Sequence, residues 1–98
     1  MHVEWSALAL EDRVTIFDYI ESDNPPAANR LDDRIEAEID RLAEFTEIGR
    51  PGRVAGTREL VLPRTPYLAV YSVAETSVTI LRILHGAQQW PSEMPDRT

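Results

Sequence analysis

The sequence predicts an α+β fold in which an N-terminal helical hairpin packs on a small, mainly antiparallel β-sheet. Apolar residues recur at helical spacing through the first half of the chain and alternate at strand spacing through the second. A stretch rich in glycine and proline separates the two halves. The length of 98 residues suits one compact core, so the whole chain, 1–98, is read as a single domain.

His2 to Trp5 has an extended character, and Ser6 is placed to cap a helix running to about Ser22. Leu10, Val14, Phe17 and Ile20 share one face of that helix, which is expected to be core. Ser22-Asp23-Asn24-Pro25-Pro26 then stops the first helix and starts a second, with Asn24 as cap and Pro25 at the first helical position. The second helix is expected from about Pro26 to Phe45, with Ala28, Leu31, Ile35, Ile39 and Leu42 buried. Its other face, with Asp32, Asp33, Glu36 and Glu38 among its charges, is mainly acidic and is read as solvated.

The pattern breaks near Thr46, and the run from Gly49 to Thr57 is expected to be a loop. Beyond it the period changes to two, predicting strands over Arg58–Leu62, Tyr67–Val73 and Ser77–His85. The short links between them suit hairpins, so an antiparallel meander results. The last strand is apolar on both sides, with Val78, Ile80 and Leu84 alternating with Leu81 and Ile83, which makes it central. After Gly86 the chain turns polar, and about 91–98 is expected to be a flexible tail.

Composition narrows the chemistry. The absence of cysteine excludes disulfides and zinc-thiolate sites, and with His2 and His85 as the only histidines no metal or other cofactor is expected. A formal charge of −7 argues against binding nucleic-acid backbone directly. All ten basic residues are arginines. No apolar run is long enough to span a membrane and no basic leader opens the chain, so a cytoplasmic location is expected.

Four residues of the second half could carry chemistry: Arg58 opening one strand, Arg82 inside the central strand, His85 at its end, and Tyr71 in the strand between them. Arginines on a sheet can hold phosphate oxygens, and a nearby histidine can protonate a leaving ribose oxygen, an arrangement for metal-independent RNA cleavage. The alternative for each arginine is an ion pair, with Glu59 or Glu75 as partners, and for His85 a polar strand terminus. The loop holding Arg50 and Arg53 lacks the spacing and the lysine of a phosphate-binding P-loop. Trp90, in Gln88-Gln89-Trp90-Pro91, is either an aromatic anchor for a partner or packing of the tail on the sheet.

The runs Glu44-Phe45-Thr46-Glu47-Ile48-Gly49-Arg50-Pro51-Gly52-Arg53 and Gly56-Thr57-Arg58-Glu59-Leu60-Val61 resemble the middle of ParE/RelE-family toxins of type II toxin-antitoxin systems. Pro66-Tyr67-Leu68-Ala69-Val70-Tyr71, Ile80-Leu81-Arg82-Ile83-Leu84-His85-Gly86 and Trp90-Pro91 are similar to that family's closing strands and tail, and Asn24-Pro25 with Ala27-Ala28 to its helical hairpin. The resemblance covers nearly the whole chain. It implies a RelE/ParE-like fold and a cognate antitoxin that wraps a segment around the toxin and holds it inactive.

For the lethal activity the resemblance leaves three readings. ParE-like members poison DNA gyrase by protein-protein contact and are not enzymes. RelE-like members cut mRNA on the ribosome, and Arg58, Arg82 and His85 fall at or near their catalytic positions. A third reading is a fold that has lost toxicity and only binds antitoxin. The acidic, lysine-free composition and the wording Gly-Thr-Arg-Glu-Leu-Val and Leu-His-Gly favour the gyrase reading. Trp90 and Tyr71 are its candidate partner-binding residues.

Overall fold

The computed structural model describes residues 1–86 together with 94–95. Its elements run β1 (His2–Trp5), α1 (Ala7–Glu21), α2 (Pro25–Asp40), a 3-10 turn (Arg41–Ala43), β2 (Arg50–Pro51), β3 (Arg58–Val61), β4 (Tyr67–Val73) and β5 (Ser77–His85). The strands form one sheet in the order β1-β5-β4-β3-β2.

The expected meander is present: β3 pairs antiparallel with β4, and β4 with β5. Two strands extend it. Arg50 and Pro51, expected in a loop, pair with Glu59 and Arg58 as β2. The extended N-terminus joins the other edge as β1, parallel to β5 from His2↔Ser77 to Trp5↔Ile80. The sheet is therefore mixed, and the helical hairpin follows a strand instead of opening the chain. A parallel pair needs a long connection, and here everything from α1 to β4 supplies it.

The capping residues fix the hairpin. Ser6 Oγ accepts a hydrogen bond from the Ala9 N–H at 3.0 Å and donates to the Leu81 carbonyl at 2.8 Å, starting α1 and tying that start to β5. Asn24 Oδ1 accepts from the Ala27 N–H at 3.1 Å, with Pro25 at the first helical position. The second helix stops at Asp40, short of Phe45, because the chain tightens into the 3-10 turn that buries Leu42.

The main core lies between the hairpin and the sheet. Ile35, Ile39 and Leu42 meet Ala69, Tyr71, Val78, Ile80 and Ile83, with Leu31 partly buried beside them. On the opposite sheet face Leu68, Val70, Leu81 and Leu84 form a second cluster, against which Met94 packs. A bulge serves both faces: Val70 pairs with Arg82 and Tyr71 with Ile80, leaving Leu81 as the extra residue.

Helix α1 departs from expectation. Leu10 and Val14 are 48% and 58% exposed, whereas Ala9 is buried and Ile16 packs on the core. Successive residues turn by about 100°, so Ala9, Ile16 and Ile20 form one stripe and Leu10, Val14 and Phe17 another, about 100° away. Both satisfy helical spacing, and only one can face the sheet.

Candidate functional site

The family-like run from Thr46 to Glu59 is held by three side chains. Arg58, opening β3, donates from Nε and Nη2 to the Gly49 carbonyl at 3.0 and 2.7 Å, and from Nη2 to the Glu47 carbonyl at 3.1 Å. Its guanidinium thus closes the turn that leads into β2.

Glu59, next in sequence, points to the other face of the sheet, and its side chain is only 3% exposed. It accepts from Arg50 Nη2 at 3.2 Å and from the Arg53 backbone N–H at 2.9 Å. Burial alone would raise its pKa, but the Arg53 N–H, the Arg50 guanidinium and the charges of both arginines outweigh burial and hold it below 4.5.

Tyr71 completes the arrangement from β4. Its hydroxyl donates to the Thr46 carbonyl and accepts from the Gly49 N–H, both at 2.9 Å. A Cβ at Gly49 would lie 2.6 Å from that oxygen, so the approach requires glycine. The expectation that Tyr71 touches a partner is corrected here. The side chain is fully buried and its hydroxyl serves the loop. The other candidate anchor, Trp90, lies outside the described residues.

Arg82 occupies the edge of β5 just past the end of β1. Its Nε and Nη2 donate to the two carboxylate oxygens of Asp12 on α1, each at 2.8 Å, and the Ile83 N–H donates to the same carboxylate at 2.9 Å. Among the described residues the carboxylate that binds it is that of Asp12, where Glu59 or Glu75 was expected. Asp12 lies on the inner side of α1 between Ala9 and Ile16, where an apolar residue is the norm. With Leu10, Val14, Phe17 and Ile20 read as the core face, Asp12 falls on the opposite side of the helix, so the sequence carried no signal for this contact.

His85 ends β5 and meets Tyr67 edge to face, with ring centroids 5.5 Å apart and planes at 82°. Burial, and then the neighbouring phenol of Tyr19, push the Tyr67 hydroxyl above its ordinary 10. It is therefore a poor base near neutrality.

The three candidate catalytic residues do not meet at one point. Arg58 pairs with Tyr71 and His85 with Tyr67. Four positions along β4 and two strand spacings thus separate their backbones, about 13 Å in one direction and about 10 Å in the other. Arg82 lies opposite Val70 and reaches across the strand edge to α1.

A family profile described as "ParE toxin of type II toxin-antitoxin system, parDE" matches residues 3–90. The chain belongs to the ParE toxin family. It is the toxin of a ParDE-type toxin-antitoxin system. It is 45% identical over 89 residues to a protein of Sinorhizobium fredii named "Putative toxin Y4kP", covering 91% of this chain and 92% of that one. It is 43% identical over 86 residues to "Toxin RelE2" of Caulobacter vibrioides, covering 88% and 96% respectively. Among solved structures, the chromosomal ParDE system from P. aeruginosa superposes with a TM-score of 0.79 at 30% identity, over 85% of this chain and 92% of that one. The expected RelE/ParE-like fold is thus found. Among the described residues of this ParE-family chain, no helix is long and apolar enough to cross a membrane.

Proposed function

We propose that this ParE-family toxin inhibits DNA gyrase by protein-protein contact and that a cognate antitoxin neutralises it in the cytoplasm. The observation that carries the choice of target is the engagement of the two strand arginines. Arg82 is bound bidentately by Asp12 and Arg58 is bound to backbone carbonyls, so both guanidiniums serve the fold. Phosphate binding would have to compete with these contacts. The charge of −7 also disfavours an rRNA-lined site. A gyrase supercoiling assay with saturating purified toxin tests the target. Loss of supercoiling is expected, restored when antitoxin is added, and full gyrase activity would reject the proposal.

The name of the RelE2 relative favours a second reading, a ribosome-dependent mRNA endoribonuclease using Arg58, Arg82 and His85. Primer extension on translated mRNA after induction distinguishes the two. Codon-linked cuts with unimpaired supercoiling would establish cleavage. Unimpaired growth after verified overproduction would reject both in favour of a non-toxic antitoxin-binding remnant.

A further inference from the structure

The chain between the 3-10 turn and β3 is fixed from several sides at once. Besides the contacts of Arg58 and Tyr71 with Gly49, the Gly52 N–H donates to the Thr57 carbonyl at 2.7 Å and the Thr57 hydroxyl donates to the Val54 carbonyl at 2.6 Å. Thr57 is buried, and a side chain at Gly52 would collide with its hydroxyl. Surface connections are ordinarily the mobile parts of a fold. Support of this kind is what holds a binding group in place.

What the braced segment presents outward is two guanidiniums. Arg50 reaches the Glu59 carboxylate through Nη2 at 3.2 Å and Arg53 through Nε at 3.6 Å, yet the two arginine side chains are 60% and 57% exposed while that of Glu59 is 3% exposed. One buried carboxylate thus steadies two solvent-facing cations. Burying it is costly, and its effect is to reduce the side-chain freedom that both arginines would otherwise lose on meeting a partner. Val61, two residues along β3 and so about 7 Å from Glu59 on the same side, is 55% exposed and adds an apolar contact beside the pair.

Charge selects the partner. Residues 47–64 carry four arginines against two glutamates, whereas residues 7–43 carry ten carboxylates against four arginines. Strand β2 forms one edge of the sheet, and α1 binds β5 toward the other. An acidic protein surface therefore approaches by the β2 edge, with the helical hairpin turned away. Carboxylates suit the planar fork of arginine. A nucleic-acid duplex, charged about every 1.7 Å along its axis, would meet the acidic remainder of the chain as well. The hairpin of a second copy has the right sign, but it would engage head to tail and join chains into rings or filaments. Strand addition is opposed by β2 itself, which is two residues long and ends in Pro51, without an N–H to donate.

We infer that Arg50 and Arg53, braced by Glu59 and flanked by Val61, are the contact by which this toxin holds a carboxylate-rich surface of DNA gyrase. This rests on the gyrase reading above and specifies the toxin's surface and the chemistry of the site it meets.

The experiment measures binding of the full-length toxin to purified gyrase holoenzyme at several salt concentrations, beside inhibition of supercoiling. Arg50→Gln and Arg53→Gln each keep an amide that can donate to Glu59, and circular dichroism with the melting temperature establishes which variants are folded. Arg30→Gln, at an exposed position on α2, is the control. The double variant is expected to weaken gyrase affinity about tenfold or more, and Arg30→Gln less than about twofold. Its affinity should also fall less steeply with salt than that of wild type. Where the double variant unfolds, the single variants carry the test, each with an expected loss of about threefold or more. Val61→Glu sets a carboxylate beside the pair and should weaken binding as well.

Gyrase binding by wild type with no loss in the folded arginine variants overturns the inference and leaves the gyrase reading standing. Failure of wild type to bind or inhibit gyrase overturns both. Loss of antitoxin affinity with gyrase affinity intact would reassign the arginines to the antitoxin. Binding that requires DNA in the gyrase complex, and that the double variant loses, would reassign them to phosphate. Wild-type self-association abolished in the double variant, again with gyrase affinity intact, would reassign them to a second copy.

Discussion

The Asp12 carboxylate closes the edge of β5 where β1 ends, binding Arg82 through both of its oxygens and the Ile83 N–H through one. The parallel strand stops at Trp5, opposite Ile80, and from Leu81 onward the edge is met by side chains of α1 and its cap. The Arg82 and Asp12 side chains are only 13% and 15% exposed, so the pair is largely withdrawn from water.

Asp12→Ala should therefore destabilise the fold by about 2–4 kcal/mol, since it removes both carboxylate hydrogen bonds from a largely buried guanidinium and leaves a strand N–H without its acceptor. Asp12→Asn should cost less, because its amide oxygen still accepts one hydrogen bond. Urea denaturation of Asp12→Ala, Arg82→Ala and the double variant gives the coupling, expected at about 1–3 kcal/mol. Additive single effects would mean that the pair contributes nothing beyond its members.

Gly49 and Tyr71 form a second dependence. Gly49→Ala forces a methyl group against the Tyr71 hydroxyl and ring and should cost about 1–3 kcal/mol. Tyr71→Phe leaves the Gly49 N–H and the Thr46 carbonyl without their partner, at about 1–3 kcal/mol. Because both act on the same loop, the double variant should lose less than the sum. Equilibrium unfolding of the three proteins measures this.

Glu59 sets an acid limit. Its folded-state pKa lies below 4.5, so the folded chain favours the ionised form more than the unfolded chain does. The resulting stability is fully present above the unfolded value and is lost as pH falls through the depressed folded one. Wild type should lose stability more steeply than Glu59→Gln as pH drops from about 5 to about 3. Parallel pH profiles for the two proteins would show that this carboxylate does not couple folding to pH.

His85 offers a clean functional discrimination. It is exposed at the end of β5 and meets Tyr67 at a ring edge. Growth inhibition by His85→Ala, induced to the wild-type level, should stay within about twofold if the target is gyrase. General acid catalysis contributes roughly 10²–10⁴-fold, so a cleaving enzyme would lose most of its toxicity.

The expected elements were largely legible because their signals are local. Asn24 before Pro25 caps a helix whatever lies beyond it, and the period-two runs of β4 and β5 specify strands by alternation alone. The motif from Gly49 to Glu59 carried the family resemblance. What those residues do to one another was not legible, since Arg58, Glu59 and Tyr71 act on atoms that chain folding brings to them.

The sequence by itself determined both helices, the β3–β5 meander, the interior place of β5, the α+β class and the family. Tertiary structure decided which of two apolar stripes on α1 faces the sheet, that β1 adds parallel to β5, and that Arg82 is held by a residue 70 positions away. The physical reason is that helical and strand periods record which side chains share a face, whereas the surface that covers a face is chosen by the whole packed chain. On α1 that choice buried Ala9, packed Ile16 against the core and left Leu10 and Val14 facing outward.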